Sequence, residues 1–285
     1  MNIKKSKKTL CILIALIAGI LIAPRPASAT WLNNPDNPYQ FRAGFETGFL
    51  GVLSHRIQLG SNGTVFDYVK DGGQANLLFF NRLTAEMHLG PRHGLVFLYQ
   101  PLDVRTEDLL SEDLVVDSLL FPAETPMEFR YGFDFYRISY LFDFNKDPQN
   151  ELAAGISLQI RNATISFASK DGTLFRTTQN IGPVPIFKFR WAQHFKNGAW
   201  LGAEADGFYA DGRYITGSAN DFMGAIFDVS GRYGFRLNES LDGFVNLRYL
   251  GGGARGTDET PADRGDGFTD NWLNTMTLTL GFYMQ

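Results

Sequence analysis

The chain reads as an all-β protein, a single antiparallel up-and-down transmembrane β-barrel of about ten strands. Three observations predict this. Long stretches alternate apolar and polar residues with a period of two, which places successive side chains on opposite faces of a strand. The apolar face carries Phe, Leu and Tyr, while the polar face carries charges of both signs, as expected when one side meets lipid and the other water or polar groups. The connections alternate between brief turns and long loops.

Asp221–Gly251 is the clearest stretch. Met223, Ala225, Phe227, Val229, Gly231, Tyr233, Phe235 and Leu237 fall on one face, and Asp228, Ser230, Arg232 and Arg236 on the other. Asn238-Glu239-Ser240 turns the chain, and Val245, Leu247 and Tyr249 then oppose Asn246 and Arg248.

The chain opens differently. Lys4, Lys5, Lys7 and Lys8 precede an apolar run from Leu10 to Ala23, then Pro24-Arg25-Pro26 and Ala27-Ser28-Ala29. This predicts a signal peptide over residues 1–29, because the run has about 14 residues and a helical span needs about 20. Cys11 lies within it, so the mature chain has no cysteine and no disulfide. Residues 1–29 hold five of the 26 Lys/Arg and none of the 30 Asp/Glu, leaving 21 basic against 30 acidic, net −9. That balance argues against a nucleic-acid partner.

Residues 30–40, with Asn33-Asn34-Pro35 and Asn37-Pro38, predict a periplasmic lead-in, and 41–285 the barrel. Strand one alternates Phe41, Ala43, Phe45, Thr47 and Phe49 with Arg42, Gly44, Glu46 and Gly48, and runs on towards Leu59. Gly60-Ser61-Asn62-Gly63 turns. Strand two spans Leu77 to Leu89 with Arg82, Thr84, Glu86 and His88 on its polar face. Gly90–Gly94 turns, and strand three is Leu95–Thr106. An acidic stretch with Pro122 and Pro126 follows. Strand four is clearest from Tyr136 to Phe144 and places Arg137 and Asp143 inwards. Strand five, Leu152–Ser169, places Gln159 and Arg161 inwards, and Lys170-Asp171-Gly172-Thr173 is its tip. Strand six ends in Phe187, Phe189 and Trp191 against Lys188, Arg190 and His194. Strand seven sets Leu201, Ala203, Ala205 and Tyr209 against Trp200, Glu204, Asp206 and Phe208. Strands eight and nine are the hairpin above. Strand ten follows a Gly- and Asp-rich loop and alternates Trp272, Met276, Leu278, Leu280 and Phe282 with Thr275, Thr277 and Thr279. Twelve strands result if Val115–Phe121 or Tyr68 adds a hairpin, and eight if two of these lie outside the membrane. An even count puts both termini on one side.

In this pattern the chain resembles the outer-membrane β-barrel proteins of Gram-negative-type bacteria. The resemblance implies outer-membrane lipid and lipopolysaccharide and the barrel-insertion machinery as partners, and export to the outer membrane. Such proteins commonly end on an aromatic residue, whereas this chain ends Phe282-Tyr283-Met284-Gln285.

The inward face would carry Arg42, Arg82, Arg137, Arg161, Lys188, Arg190, Arg232, Arg236 and Arg248 with Glu46, Glu86, Asp143, Glu204, Asp206 and Asp228. Small barrels have interiors that side chains can fill, and buried charges must be paired, so a charge-filled, narrow lumen is the leading expectation. It suits a structural or surface-interaction role. A small-solute or ion channel, anion-preferring from the surplus of Arg, is one alternative. A lipid hydrolase using His55 and Ser54 at the rim is another, since histidine is the natural general base near neutral pH. Arg264-Gly265-Asp266 is a tripeptide that host integrins read, on a loop expected outside the cell, so an extracellular ligand is a further possibility. Asp258, Glu259, Asp263, Asp266 and Asp270 do not match the calcium-loop spacing. The sequence carries no motif for a metal or any other cofactor.

Overall fold

The computed structural model describes residues 38–145, 149–211, 222–257 and 265–285, and only the backbone of Arg161, Asn180 and Ile181. The predicted signal peptide and most of the lead-in lie outside the described residues. So do Arg264, Asp258, Glu259 and Asp263.

The described secondary structure is all strand: β1 (Tyr39–Leu59), β2 (Phe66–Asp67), β3 (Leu77–Leu89), β4 (His93–Gln100), β5 (Asp103–Leu109), β6 (Leu114–Val116), β7 (Leu119–Phe121), β8 (Pro126–Asp143), β9 (Asn150–Ser169), β10 (Phe175–His194), β11 (Ala199–Asp211), β12 (Met223–Asn238), β13 (Leu241–Thr257) and β14 (Phe268–Met284). Sequential neighbours pair antiparallel, and β14 returns to β1, from Ala43↔Met284 to Leu59↔Thr269. The sheet therefore closes on itself and has no edge to protect. β4 and β5 both lie against β8 and form one stave broken at Pro101-Leu102. With that stave counted once, the ring has ten strands. The Val115–Phe121 stretch and Tyr68 do not add a wall hairpin. β6 and β7 form a separate two-stranded sheet, and β2 pairs only with β1.

Both ends of the ring emerge at one end of the barrel, here the terminal end, with the turns 89–93, 143–150, 194–199 and 238–241. The long connections gather at the opposite, loop end. The alternation divides outside from inside sharply. Phe49, Ile156, Phe187 and Leu280 are 56–68% exposed, whereas Arg137 and Arg248 are 1% exposed. Water would treat such a continuous apolar exterior as an aggregation surface, whereas acyl chains cover it without cost. Aromatics cluster towards both rims, with Tyr233 on Phe235 at the terminal side and Tyr99 stacked on Tyr136 at 4.9 Å towards the loop side.

Three features depart from the sequence reading. First, β1 is not one unbroken alternation. Its register against β14 shifts between Val52 and Ser54. Before that bulge the even-numbered Glu46 and Leu50 are buried; after it the odd-numbered His55, Ile57 and Leu59 are. One extra residue moves every later side chain to the other face. Second, β8 begins at Pro126, ten residues before the clearest predicted alternation at Tyr136. Its early inward residues Met127, Phe129 and Tyr131 are apolar and the outward Glu128, Arg130 and Asp134 polar, the reverse of the membrane-facing pattern. Third, the β10–β11 ladder stops at Phe187↔Gly207, although β9 pairs with β10 throughout. Pro183 and Pro185 lie just past that stop, on a side of β10 that needs no N–H donor.

Candidate functional site

The inside of the barrel is layered. At the loop end lies a dry core. Ile57 and Leu59 from β1, Phe66 and Tyr68 around β2, Leu114, Val116 and Phe121 from the β6–β7 hairpin, Met127, Phe129 and Tyr131 from β8 and Ile165 and Phe167 from β9 pack together. The connections after β1 and β5 thus fold inwards and plug the wall they join. Asp117, in the two-residue loop of the β6–β7 hairpin at φ 55°, donates its N–H to Leu59 O at 2.8 Å, and its carboxylate accepts from Arg176 of β10. Thr64 N–H reaches Val115 O at 2.8 Å. These bonds fasten the plug across the barrel.

His55 belongs to this core rather than to an open rim. It is 1% exposed, stacks on Tyr68 at 4.1 Å and meets Tyr131 edge-on at 4.2 Å; its Nδ1 lies 2.8 Å from Gln74 Oε1. Ser54 is its neighbour on a strand and so faces the other way. The Ser54 hydroxyl accepts from Asn274 Nδ2 at 2.9 Å, and Asn274 Oδ1 accepts from Tyr249. The predicted serine–histidine pair is therefore not assembled: the bulge that turns His55 inwards leaves Ser54 on the outer face.

Below the core is an ion-paired layer. Arg137 lies 3.1 Å from both Asp206 and Asp228 and donates to Gln159 at 2.8 Å. Arg248 donates to both oxygens of Asp228, through Nη2 at 2.6 Å, and to Gln100. Lys188 bridges Glu204 at 2.9 Å and Asp206 at 3.1 Å. Arg232 donates to Glu204 at 2.6 Å and lies 3.7 Å from Glu46. Arg82 stands 3.9 Å from Glu46 and from Glu204. Asn246 and Thr279 donate to the same Glu46 oxygen at 2.7 and 3.0 Å. These side chains come from all ten strands of the ring and close a net across the lumen.

Towards the terminal end, Trp200, Phe244 and Tyr283 form an aromatic shelf, with Phe244 stacked on Tyr283 at 4.7 Å. Glycines make the room. A Cβ on Gly281 would lie 2.2 Å from the Phe244 ring, and one on Gly234 2.3 Å from Trp200. Beyond the shelf, Glu86 accepts from Arg42 at 2.7 Å and Arg190 at 3.0 Å, with His88 at 3.4 Å. Arg190 also donates to Glu151 at 2.7 Å. Here the interior opens into a vestibule of about 740 Å³.

The remaining predicted residues stand apart. Arg236 is largely exposed at the terminal rim, 3.7 Å from Asp242. Asp143 caps a turn, accepting the N–H groups of Asn145 and Leu152. The Arg161 side chain lies outside the described residues. Of the predicted tripeptide, Asp266 is tied down within the molecule, accepting from Ser61 N–H at 2.8 Å and Phe268 N–H at 3.0 Å. Gly265 sits against Asp117, where an added Cβ would lie 2.6 Å from its carboxylate. The sequence reading left out Glu151 and Gln100, although alternation from Leu152 already placed Glu151 inwards. It also assigned no core to the loop end. Among the described residues no group of three His, Cys, Asp or Glu is placed to hold a metal ion.

No family model and no curated protein matches this chain in sequence. Among solved structures it is similar to the outer membrane protease OmpT from Escherichia coli, with a TM-score of 0.47 and 12% identity over 88% of this chain and 97% of that one. It is similar to the P. putida toluene transporter TodX at 0.34 and 8%, over 91% and 92%. It is similar to the outer membrane protein OprG from Pseudomonas aeruginosa at 0.26 and 11%, over 86% and 96%. All three scores are below 0.5, so the barrel stands on its own closed ladder and apolar exterior. That architecture is the one bacterial outer-membrane β-barrel proteins share.

Proposed function

We propose that this barrel resides in the bacterial outer membrane, exported by its N-terminal segment, and that it is sealed and non-conducting, with a structural or surface-interaction role. The terminal end faces the periplasm and the plugged loop end faces outwards. One observation carries the reading: two unlike barriers lie in series along the lumen. The ion-paired layer fills the cross-section with side chains that hold one another. The dry core above it offers a hydrated ion no polar path. The outward-pointing Arg56 and Arg255, each 60% exposed and set towards the loop end of the belt, support contact with the phosphates of lipopolysaccharide. The apolar outer row of β14, Met276, Leu278 and Leu280, supports engagement by the insertion machinery.

Planar-bilayer recording tests the seal. Refolded wild-type protein is expected to give no discrete conductance steps. Regular steps from the wild type would overturn the reading. Protease treatment of intact cells is expected to cut only the loop-end connections.

A further inference from the structure

The terminal vestibule has a chemical character that sealing the lumen does not require. Five Lys and Arg residues line it (Arg42, Arg92, Arg190, Lys196 and Arg236) against three carboxylates. Those three are already engaged: Glu151 by Arg190, Asp242 by Arg236 and Gln285, and Asp143 by two backbone N–H groups. Basic groups outnumber carboxylates on this lining, and a surplus of one sign of charge raises the local concentration of ions of the other.

The floor is more specific than the field. Arg190 is 3% exposed, and its fork is only partly used. Nε is taken by Glu151 and Nη1 by Glu86, while the buried Nη2 has no partner. An unmet guanidinium N–H at the base of a cavity is costly unless something accepts from it. Directly in front lies Gly94, on β4. A Cβ there would sit 4.0 Å from Arg190 Nη2, 3.9 Å from His88 Nδ1 and 3.7 Å from Leu141, all ordinary contacts. A side chain would therefore fit at position 94, yet glycine leaves that room, 4.0 Å from the unused donor, unfilled. Arg42, with an unpartnered Nε, borders the same floor.

We propose that the vestibule binds a small oxyanion-bearing solute, a carboxylate or a phosphate, from the terminal side. The anionic group seats over Gly94 and accepts from Arg190 Nη2, with Arg42 and His88 beside it and Arg92 and Lys196 at the entrance. Guanidinium groups suit both oxyanions through charge-assisted hydrogen bonds.

The test is calorimetric titration of the full chain, refolded in detergent, with inorganic phosphate and with succinate in separate runs. Saturable binding of either is expected. Phosphate alone would assign a phosphoryl solute, succinate alone a carboxylate, and both the shared oxyanion chemistry. Gly94→Asp places a carboxylate where the ligand's would sit and is expected to weaken binding at least tenfold. Should that variant lose the heat-modifiable gel mobility of a folded barrel, the Arg92→Gln/Lys196→Gln pair at the open entrance replaces it, with an expected loss of about threefold. Absence of saturable heat with both probes, or wild-type affinity in the folded variants, would overturn the site. A conducting lumen would leave this result untouched, so the two proposals fail separately.

Discussion

Asp228→Asn tests the claim that the lumen's middle layer is dry. Asp228 lies on β12 and is 3% exposed. It is the carboxylate that answers Arg248, through both oxygens, and it shares Arg137 with Asp206. Asparagine keeps the volume and one acceptor but removes the charge. Arg248 would then face only neutral acceptors, Gln100 and the substituted amide oxygen. Leaving one partner of a buried pair uncompensated costs roughly 3–5 kcal/mol, whereas an exposed pair is worth at most about 1 kcal/mol. At a urea slope of roughly 3 kcal/mol/M, a loss of that size lowers the unfolding midpoint by about 1 M or more. Equilibrium unfolding in detergent, followed by the fluorescence of Trp191, Trp200 and Trp272, reads the shift directly. Replacing both partners, Asp228→Leu with Arg248→Met, is expected to recover most of the loss, because the desolvation cost goes with the charges. A loss under about 1 kcal/mol for Asp228→Asn would refute the reasoning, since the layer would then be solvated and the seal porous.

Three further outcomes are expected. Gly281→Ala drives a methyl into the Phe244 ring and should cost about 1–3 kcal/mol in the same unfolding assay, with Phe244→Leu restoring part of it. The Ser61 hydroxyl, aided by the backbone N–H groups of Ser61 and Phe268, holds the Asp266 carboxyl below the usual carboxylate range. A carboxyl lowered in the folded state stabilises above its unfolded value and loses that contribution as pH falls through the folded one. Amide exchange at Ser61 should therefore be well protected at neutral pH and lose protection below about pH 4. His55→Ala should lower stability by roughly 2–3 kcal/mol by emptying its place against Tyr68 and Tyr131. The wild-type barrel is expected to hydrolyse no phospholipid ester, and measurable turnover would contradict the opposed placement of Ser54 and His55.

The outer wall was legible because it is written locally. Lipid imposes one demand on every outward position, so period-two alternation survives along β3, β9, β12 and β14 without knowledge of any partner strand. The ten-strand count followed from it, as did the inward placement of Arg82, Glu86, Arg137, Lys188, Glu204 and Asp228. The loop end was not legible for the opposite reason. Where β1 and β8 leave the membrane, their inner faces pack on Phe66, Tyr68 and Phe121, and the polarity inverts: Ile57, Met127 and Phe129 point inwards, and Arg56, Glu128 and Arg130 outwards. Alternation persists there with its faces exchanged, so a rule of apolar-outside, polar-inside shows strand four clearly only from Tyr136. A bulge is equally silent: nothing in Val52-Leu53-Ser54 marks which residue is extra, and a one-residue slip decides whether His55 faces the core or the lipid. The unused donor of Arg190 depends on where Glu86 and Glu151 end up, 104 and 39 residues away in sequence.

The two halves of the lumen solve one problem by different means. A closed ring must fill its interior with side chains or admit water, and every filled position must satisfy its polar atoms. In the membrane-spanning half, charges of opposite sign meet mostly between neighbouring strands, as Lys188 of β10 does with Glu204 and Asp206 of β11 and Arg248 of β13 with Asp228 of β12. There Arg137, Lys188, Arg232 and Arg248 each find a carboxylate on another strand, and removing any one strand strands charges on several others. In the loop-end half the chain brings extra mass to the wall's side chains, in the β6–β7 hairpin and the segment around β2. That mass is apolar because its register with the wall is limited to Arg56↔Asp67 and Ile57↔Phe66, too short a ladder to place many charges opposite one another. Register is what allows a guanidinium to meet a carboxylate on a facing strand, whereas dispersion and burial ask only for shape. Polar pairing where the ladder fixes positions, and apolar packing where it does not, follows from how tightly each part of the chain is held.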